Sequence, residues 1–198
     1  MEIKNYMVRF LMSGVNVKKI NIKKYKNEII FIGYSNSGKS SVINCLTNNN
    51  KLSRCSKFPG RTKMMNFFEI NNHTCFVDFP GYGYSKISDL KINKNHSLIF
   101  SYIKYRFWLT SIVLLIDIRR LIRVEDKKIL LYLKKKKVNI VILLNKCDKM
   151  KFYQQKKQLC ILRKRFFLYT SNIKIILFSS FKKIGVNEFF DYFKDYIE

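Results

Sequence analysis

The chain has no alanine, only two prolines and seven glycines, and few acids, with 13 Asp and Glu. So little proline and glycine excludes collagen-like and flexible low-complexity structure. No uncharged apolar run approaches the ~18–20 residues that cross a bilayer. The longest runs, 111–116 and 138–144, have the length of buried strands. Residues 1–15 carry Glu2, Lys4 and Arg9 among their apolar positions, so a signal-peptide core is missing. Five cysteines, an odd number with no CxxC pair, give neither a disulfide framework nor a zinc site. Reduced thiols and a cytoplasmic location are expected. His73 and His96 stand alone and read as structural or surface residues.

What is present is a 198-residue chain with 47% hydrophobic residues, enough for one well-buried domain and too little for two ordinary ones. The formal charge is +26, from 39 Lys and Arg. That suits a polyanionic partner such as RNA. Thirty lysines, 25 isoleucines and 18 asparagines are also what AT-rich codons produce, so charge alone does not assign the partner. In so biased a chain the surviving glycines mark places where the backbone needs them. Gly33, Gly38, Gly60, Gly81, Gly83 and Gly185 all fall in the segments below, and both prolines precede a glycine.

Residues 28–32 are an apolar run breaking at Gly33, a strand entering a loop. Residues 39–47 have helical character, and 54–65 are a basic loop. Two strands, 66–70 and 74–78, flank the turn Asn71-Asn72. Ile99, Ile103 and Phe107, at four-residue spacing, predict a helix over 98–108. Then come a strand at 111–117, a helix at 125–136, a strand at 139–144, a helix at 154–169, a strand at 173–178 and a helix at 186–197. Such alternation predicts an α/β fold, a mainly parallel sheet with helices on both faces. Residues 1–27 read as a basic lead-in with an edge strand around 7–12, and 28–198 as the domain.

Gly33-Tyr34-Ser35-Asn36-Ser37-Gly38-Lys39-Ser40 fits GxxxxGK[ST] between a strand and a helix. Backbone N–H groups of such a loop wrap phosphates, and the helix offers its positive end. Lys39 would reach the β- and γ-phosphates, and Ser40 would coordinate Mg²⁺. A chance match in this composition is roughly a one-in-250 event. Asp78-Phe79-Pro80-Gly81 follows a strand. There Asp78 would hold Mg²⁺ through water and Gly81 would offer its N–H to the γ-phosphate. Asn145-Lys146-Cys147-Asp148 fits NKxD, a motif that chance supplies about one time in ten in so Lys- and Asn-rich a chain. Its position at a strand's carboxyl end, where ligands of open α/β sheets bind, gives it weight. Asp148 can accept from guanine N1–H and the exocyclic amine, which adenine does not present. Asn145 can bridge N7 and the phosphate loop, and the Lys146 stem can cover the base. Phe178-Ser179-Ser180 suits a loop whose N–H near Ser180 meets the guanine carbonyl.

With these motifs the chain resembles the TRAFAC-class GTPases and, within them, the EngB (YihA/YsxC) family of bacterial GTP-binding proteins. The resemblance covers about 28–198. It rests on 28–44 (EIIFIGYSNSGKSSVIN), Gly60-Arg61-Thr62 followed by Asn66-Phe67-Phe68, 78–85 (DFPGYGYS), Asp117-Ile118-Arg119 and Ser179-Ser180-Phe181-Lys182-Lys183, with a weaker match at 9–13. The doubled Gly-Tyr is the most family-specific feature. Tyr34 stands where the family usually has Arg, Phe79 where Leu is usual and Asn145 where Thr is frequent.

The resemblance implies a Ras-like P-loop GTPase domain with a mixed, mainly parallel six-stranded sheet. It implies Mg²⁺ as cofactor and GTP or GDP as ligand, with Lys39, Thr62 and Gly81 acting in catalysis and Thr62 completing the Mg²⁺ shell beside Ser40. The implied nucleotide contacts extend to Ser41, to Gly60, Arg61, Lys63 and Met64 of switch I, to Phe79 and Pro80, and to Cys147 and Phe178. Asn36 matches a phosphate-loop Asn that supports K⁺ in related enzymes. The family is implicated in large ribosomal subunit assembly, with the subunit or its rRNA as partner, and in septum formation; a monomer is expected. Tyr82 occupies the place of the water-orienting Gln of Ras-type enzymes, so intrinsic hydrolysis should be slow, on the ~10⁻⁴ s⁻¹ scale. The competing reading is a nucleotide-sensing RNA-binding module with negligible turnover. Candidate RNA contacts are Arg119, Arg120 and Arg123, residues 134–137, and the aromatics Phe100, Tyr102, Tyr105, Phe107 and Trp108.

Overall fold

A computed structural model describes residues 8–22, 24–49, 52–53, 64–83, 89–120, 122–134, 136, 138–167 and 173–197, with the side chains of 89–94 and 167 excepted. Its seven strands are β1 (Arg9–Gly14), β2 (Asn27–Gly33), β3 (Met65–Glu69), β4 (Thr74–Asp78), β5 (Leu109–Asp117), β6 (Asn139–Asn145) and β7 (Ile173–Leu177). The helices are α1 (Lys39–Leu46), α2 (Asp89–Tyr105), α3 (Val124–Leu133), α4 (Phe152–Phe167), α5 (Val186–Tyr192) and α6 (Lys194–Ile197). One sheet runs β1-β3-β4-β2-β5-β6-β7. β2 pairs parallel with β4 and β5, and β5, β6 and β7 continue in parallel. β1 and β3 are antiparallel to their neighbours. The sheet therefore holds the six expected strands plus the edge strand of the lead-in, which lies at 9–14 rather than 7–12.

The period-two alternation of a strand splits the core into two layers. On one face Ile30, Ile32, Ile112, Leu114, Ile140 and Ile142 pack under Ile99, Tyr102 and Ile103 of α2, Ile129, Leu130 and Leu133 of α3, and Leu162 and Phe166 of α4. On the other, Ile29, Phe31, Val113, Leu115, Val141, Leu143 and Ile176 pack against Val42, Ile43 and Leu46 of α1 and Val186 and Phe189 of α5. β2 lies at the centre with parallel neighbours on both sides, which puts its carboxyl end at the point where an open sheet binds ligands.

The helix expected over 98–108 is displaced. It begins at Asp89 and stops at Tyr105, and Phe107 is 87% exposed instead of continuing the Ile99–Ile103 stripe. The reason is Arg106. Its guanidinium turns inward to the fully buried carboxylate of Glu28, which also accepts the Tyr102 hydroxyl at 2.7 Å and Arg106 Nε at 3.1 Å. An unpaired buried carboxylate is costly enough to fix where the chain turns. The closing helix also divides in two, at Phe193.

Candidate functional site

The phosphate loop leaves β2 at Gly33 and closes onto α1 at Lys39. Gly38 has φ +99, and a Cβ there would come within 2.4 Å of Asn145 Nδ2, so both the backbone and the space require glycine. Lys39 Nζ is turned back under the loop, donating to Gly33 O at 2.9 Å and Tyr34 O at 3.2 Å. Burial pulls its pKa down to about 8, with Asp78 acting in the opposite direction. A buried cation already aimed along the loop is poised for an anion that would restore its charge.

The Mg²⁺-type residues meet at the ends of α1 and β4. Ser40 Oγ donates to Asp78 Oδ2 at 3.0 Å, and Ser53 Oγ donates to the same oxygen at 2.9 Å. Ser53 is itself clamped by Asn44, through Asn44 Nδ2 to Ser53 O at 2.8 Å and Ser53 N to Asn44 Oδ1 at 2.7 Å. Asp78 is 1% exposed, and burial raises its pKa against the pull of Lys39, Ser53 and Ser40. Its Oδ1 is buried with no hydrogen-bond partner among the described residues. A hard acceptor left over beside a serine hydroxyl suits a hydrated divalent cation, so Ser40 and Asp78 fit Mg²⁺. Gly60, Arg61, Thr62 and Lys63 lie outside the described residues, as do Tyr84 and Ser85 of the signature. Met64 is described and half-exposed, just ahead of β3.

The segment after β4 is stitched to the phosphate loop by backbone: Ser35 N donates to Tyr82 O at 2.8 Å and Tyr82 N to Gly33 O at 3.4 Å. Gly81 lies against Ser35 and Lys39 Nζ, and its carbonyl accepts from Asn95 of α2 at 2.8 Å. Tyr82 points the other way. It is 1% exposed and donates its hydroxyl to Asp126 Oδ1 at 2.6 Å, while Asp126 Oδ2 accepts the Arg123 N–H at the start of α3. Gly83 (φ +77) rests on the Tyr34 ring, where a Cβ would approach to 1.7 Å. The same ring meets Tyr82 edge-on at 6.1 Å between centroids and carries Arg123, whose Cζ stands 3.5 Å from its centroid. Phe79 is wholly buried against Tyr102, and Pro80 is buried behind it, so these two positions supply the strand's exit rather than side chains to the site.

The base motif lies where β6 ends. Asn145 Nδ2 donates to Ser37 O at 2.9 Å, the bridge to the phosphate loop expected from sequence. Lys146 adopts φ +63 and sends Nζ to Asn36 O at 2.7 Å and Asp117 Oδ2 at 3.1 Å. Burial opposes ionisation of Asp117, but Arg119 and Lys146 outweigh it and hold the pKa at about 2. Asp148 Oδ1 accepts from Ser179 Oγ at 2.6 Å, and this bond lowers its pKa. One carboxylate edge is thus oriented from β7's loop. Cys147 and Phe178 are buried beneath, joined by Cys147 N to Phe178 O at 3.1 Å; they form the floor and give no side chain to a ligand. Ser41 sits in the first turn of α1 and Ser180 half-buried after Ser179. Sequence reading did not find Ser53, Ser179 Oγ as the orienter of Asp148, or Asp126. Only the capping position of Asp126, three residues after Arg123, offered a local signal.

The candidate RNA contacts divide. Arg119 is committed to Asp117 and Arg123 to Tyr34. Tyr102 is core, Phe100 packs on Tyr132, and Phe107 is exposed.

A family model described as a 50S ribosome-binding GTPase matches residues 28–146, and one for the elongation factor Tu GTP binding domain matches 108–198. A GTP-binding protein EngB of Buchnera aphidicola from Acyrthosiphon pisum is 45% identical over 179 residues, 90% of this chain and 87% of that one. An EngB of Clostridioides difficile is 38% identical over 183 residues, 90% of each chain. A crystal structure of an EngB GTP-binding protein superposes with a TM-score of 0.66 at 22% identity, over 86% of this chain and 98% of that chain.

Proposed function

Because this chain belongs to the EngB family of GTP-binding proteins and is a GTPase, we propose that it is a Mg²⁺-dependent switch that docks on the large ribosomal subunit during its assembly. The observation that carries the nucleotide chemistry is the convergence of the buried Lys39 and Asp78 with the half-buried Ser40 at the ends of β2 and β4. Lys39 binds the β- and γ-phosphates, giving up its bonds to the Gly33 and Tyr34 carbonyls. Ser40 would ligate Mg²⁺, Asp78 would hold its water, and Thr62 would complete the shell when the γ-phosphate is present. When bound, Mg²⁺ neutralises charge on the phosphate oxygens. The Gly81 N–H faces the γ-phosphate, Asn145 and Asp148 select guanine, and Lys146 covers the base. The remaining expected contacts, Ser41, Gly60, Arg61, Lys63, Met64 and the Ser180 N–H, would serve the same ligand.

Tyr82 is tied to Asp126 and brings no group to an attacking water, which supports slow intrinsic turnover. We place K⁺ beside the exposed Asn36, where it would share in charge stabilisation. Unequal turnover in K⁺ and Na⁺ at matched ionic strength is the expected result. The family description of ribosome binding supports the partner, and septum formation would depend on the protein through ribosome supply. The test is co-sedimentation with large subunits in GTP and in GDP, with single-turnover hydrolysis measured on the same particles. GTP-dependent binding and particle-stimulated hydrolysis are expected. Binding that ignores the nucleotide, with no turnover on the particle, would favour the sensing module instead.

A further inference from the structure

The rim beside the base site carries charge and aromatic surface that nucleotide binding does not use. From residue 149 to residue 187 the chain has ten Lys and Arg and no Asp or Glu, although 13 acids occur elsewhere. Among the described residues four aromatic side chains are more than two-thirds exposed: Phe107, Phe152, Tyr153 and Phe181, at 87%, 68%, 76% and 77%. Three of the four belong to the two segments that leave β6 and β7 at the guanine loop. Burial explains nothing about these three, since each would be better off covered.

Cations stand on the rings. Lys149 Nζ lies 5.7 Å and Lys182 Nζ 5.4 Å from the Phe181 centroid, and Lys156 Nζ lies 4.5 Å from that of Phe152. The segments that present them are fixed. The Phe181 turn is closed at its base by Ser179 N to Ile184 O and Ile184 N to Ser179 O, both 3.1 Å. Gln155 Nε2 ties the first turn of α4 to Cys147 O and Met150 O, both at 2.9 Å. Rigid rings lose little freedom on binding. Lys149 is paired with Asp148 at 3.5 Å and Lys174 with Glu188 at 2.8 Å, which leaves an excess of positive charge around the rings. Exposed aromatics set in such an excess are what unpaired bases need: ring faces to stack on and lysines along the phosphates. A duplex keeps its base faces covered and could use only the charge.

We infer that this rim is a stacking surface for single-stranded RNA, with Phe152, Tyr153 and Phe181 receiving bases and Lys151, Lys156, Lys182 and Lys183 following the backbone. It rests on the ribosomal reading for the source of the strand. Phe181 lies two residues beyond the serine that orients Asp148, so a strand stacked there borders the guanine loop.

The test uses the full chain loaded with GDP, a labelled unstructured 12-nucleotide RNA and a duplex RNA of equal length, read by fluorescence anisotropy. Combined Phe152→Ala, Tyr153→Ala and Phe181→Ala should weaken single-strand binding by at least about 10-fold. Duplex binding should change less than about 3-fold. Phe181→Trp should keep single-strand binding, and the oligonucleotide should quench its fluorescence beyond the quenching seen with the unaltered chain. Unchanged single-strand affinity in the triple variant, or equal losses for strand and duplex, overturns the surface. So does a triple variant that keeps RNA binding but loses a protein partner. Sedimentation with large subunits separates the two readings. A triple variant that still binds particles as the unaltered chain does removes this surface alone, whereas an unaltered chain that binds no particles removes the ribosomal reading.

Discussion

Tyr82 donates its hydroxyl to Asp126 across 2.6 Å, both groups buried, 44 residues apart in sequence. The bond turns the residue after Gly81 away from the phosphates and anchors it to the first turn of α3. Burial, followed by the neighbouring Asp126 charge, drives the phenol well above its ordinary pKa, and burial raises that of Asp126.

Tyr82→Phe should therefore be a stability variant with near-normal chemistry. It leaves Asp126 Oδ1 without its donor, a loss of about 1–3 kcal/mol. Denaturant unfolding should record that loss, while GTP turnover at saturating substrate changes less than about 3-fold. A tenfold fall in turnover with unchanged stability would make Tyr82 part of the catalytic apparatus.

Lys39 gives a pH signature. The unfolded chain keeps this proton up to 10.5, the nucleotide-free fold only to about 8. Between those values the unfolded state binds more protons, so this lysine makes the free protein more stable as pH rises through the window. Lys39→Met should flatten that part of the stability profile. Bound phosphates would restore the charge, so GDP binding at pH 8.5 should take up a proton. Calorimetry in two buffers of different ionisation enthalpy measures it; zero uptake contradicts the buried, depressed lysine.

Asp148→Asn exchanges a double acceptor for a group that also donates. GTP affinity should fall roughly 100-fold as two charge-assisted bonds are lost. Xanthosine triphosphate, whose C2 carbonyl can accept from the amide, should gain. Competition binding with GTP, XTP and ATP decides it, and retained guanine preference would remove Asp148 from the base site.

In the proposed reading Asp78 couples the metal to nucleotide release. Chelating Mg²⁺ should speed GDP dissociation at least tenfold in the unaltered protein and have little further effect in Asp78→Asn. Stopped-flow release of a fluorescent GDP analogue tests this. Equal EDTA sensitivity in both would mean that the orphaned Oδ1 does not serve the ion.

Arg106→Ala should be among the most damaging single changes, at about 3–5 kcal/mol, because the buried Glu28 would lose its cationic partner. Arg106→Ala combined with Glu28→Gln should recover part of the loss. A chevron or equilibrium melt showing under 1 kcal/mol for the single variant would refute the pairing.

The same examples mark how far sequence reading reaches. The phosphate loop and the NKxD strand end were legible because their chemistry is local, a few residues at fixed spacing between elements of clear period. The strands of the second half were legible because a parallel sheet buried on both faces leaves continuous apolar runs. Glu28 with Arg106, Tyr82 with Asp126 and Ser179 with Asp148 were not, since each joins distant positions and neither partner announces the other. The early end of α2 follows from the first of these pairs. The stripe Ile99–Ile103–Phe107 satisfied helical spacing, and a tertiary ion pair overrode it.

The contact between Gly83 and Tyr34 has a historical consequence. With a ring already pressed on the glycine, no larger residue can enter position 83 first; the ring must be given up before the glycine can go. Positions 34 and 83 are therefore a pair whose changes have a compulsory order.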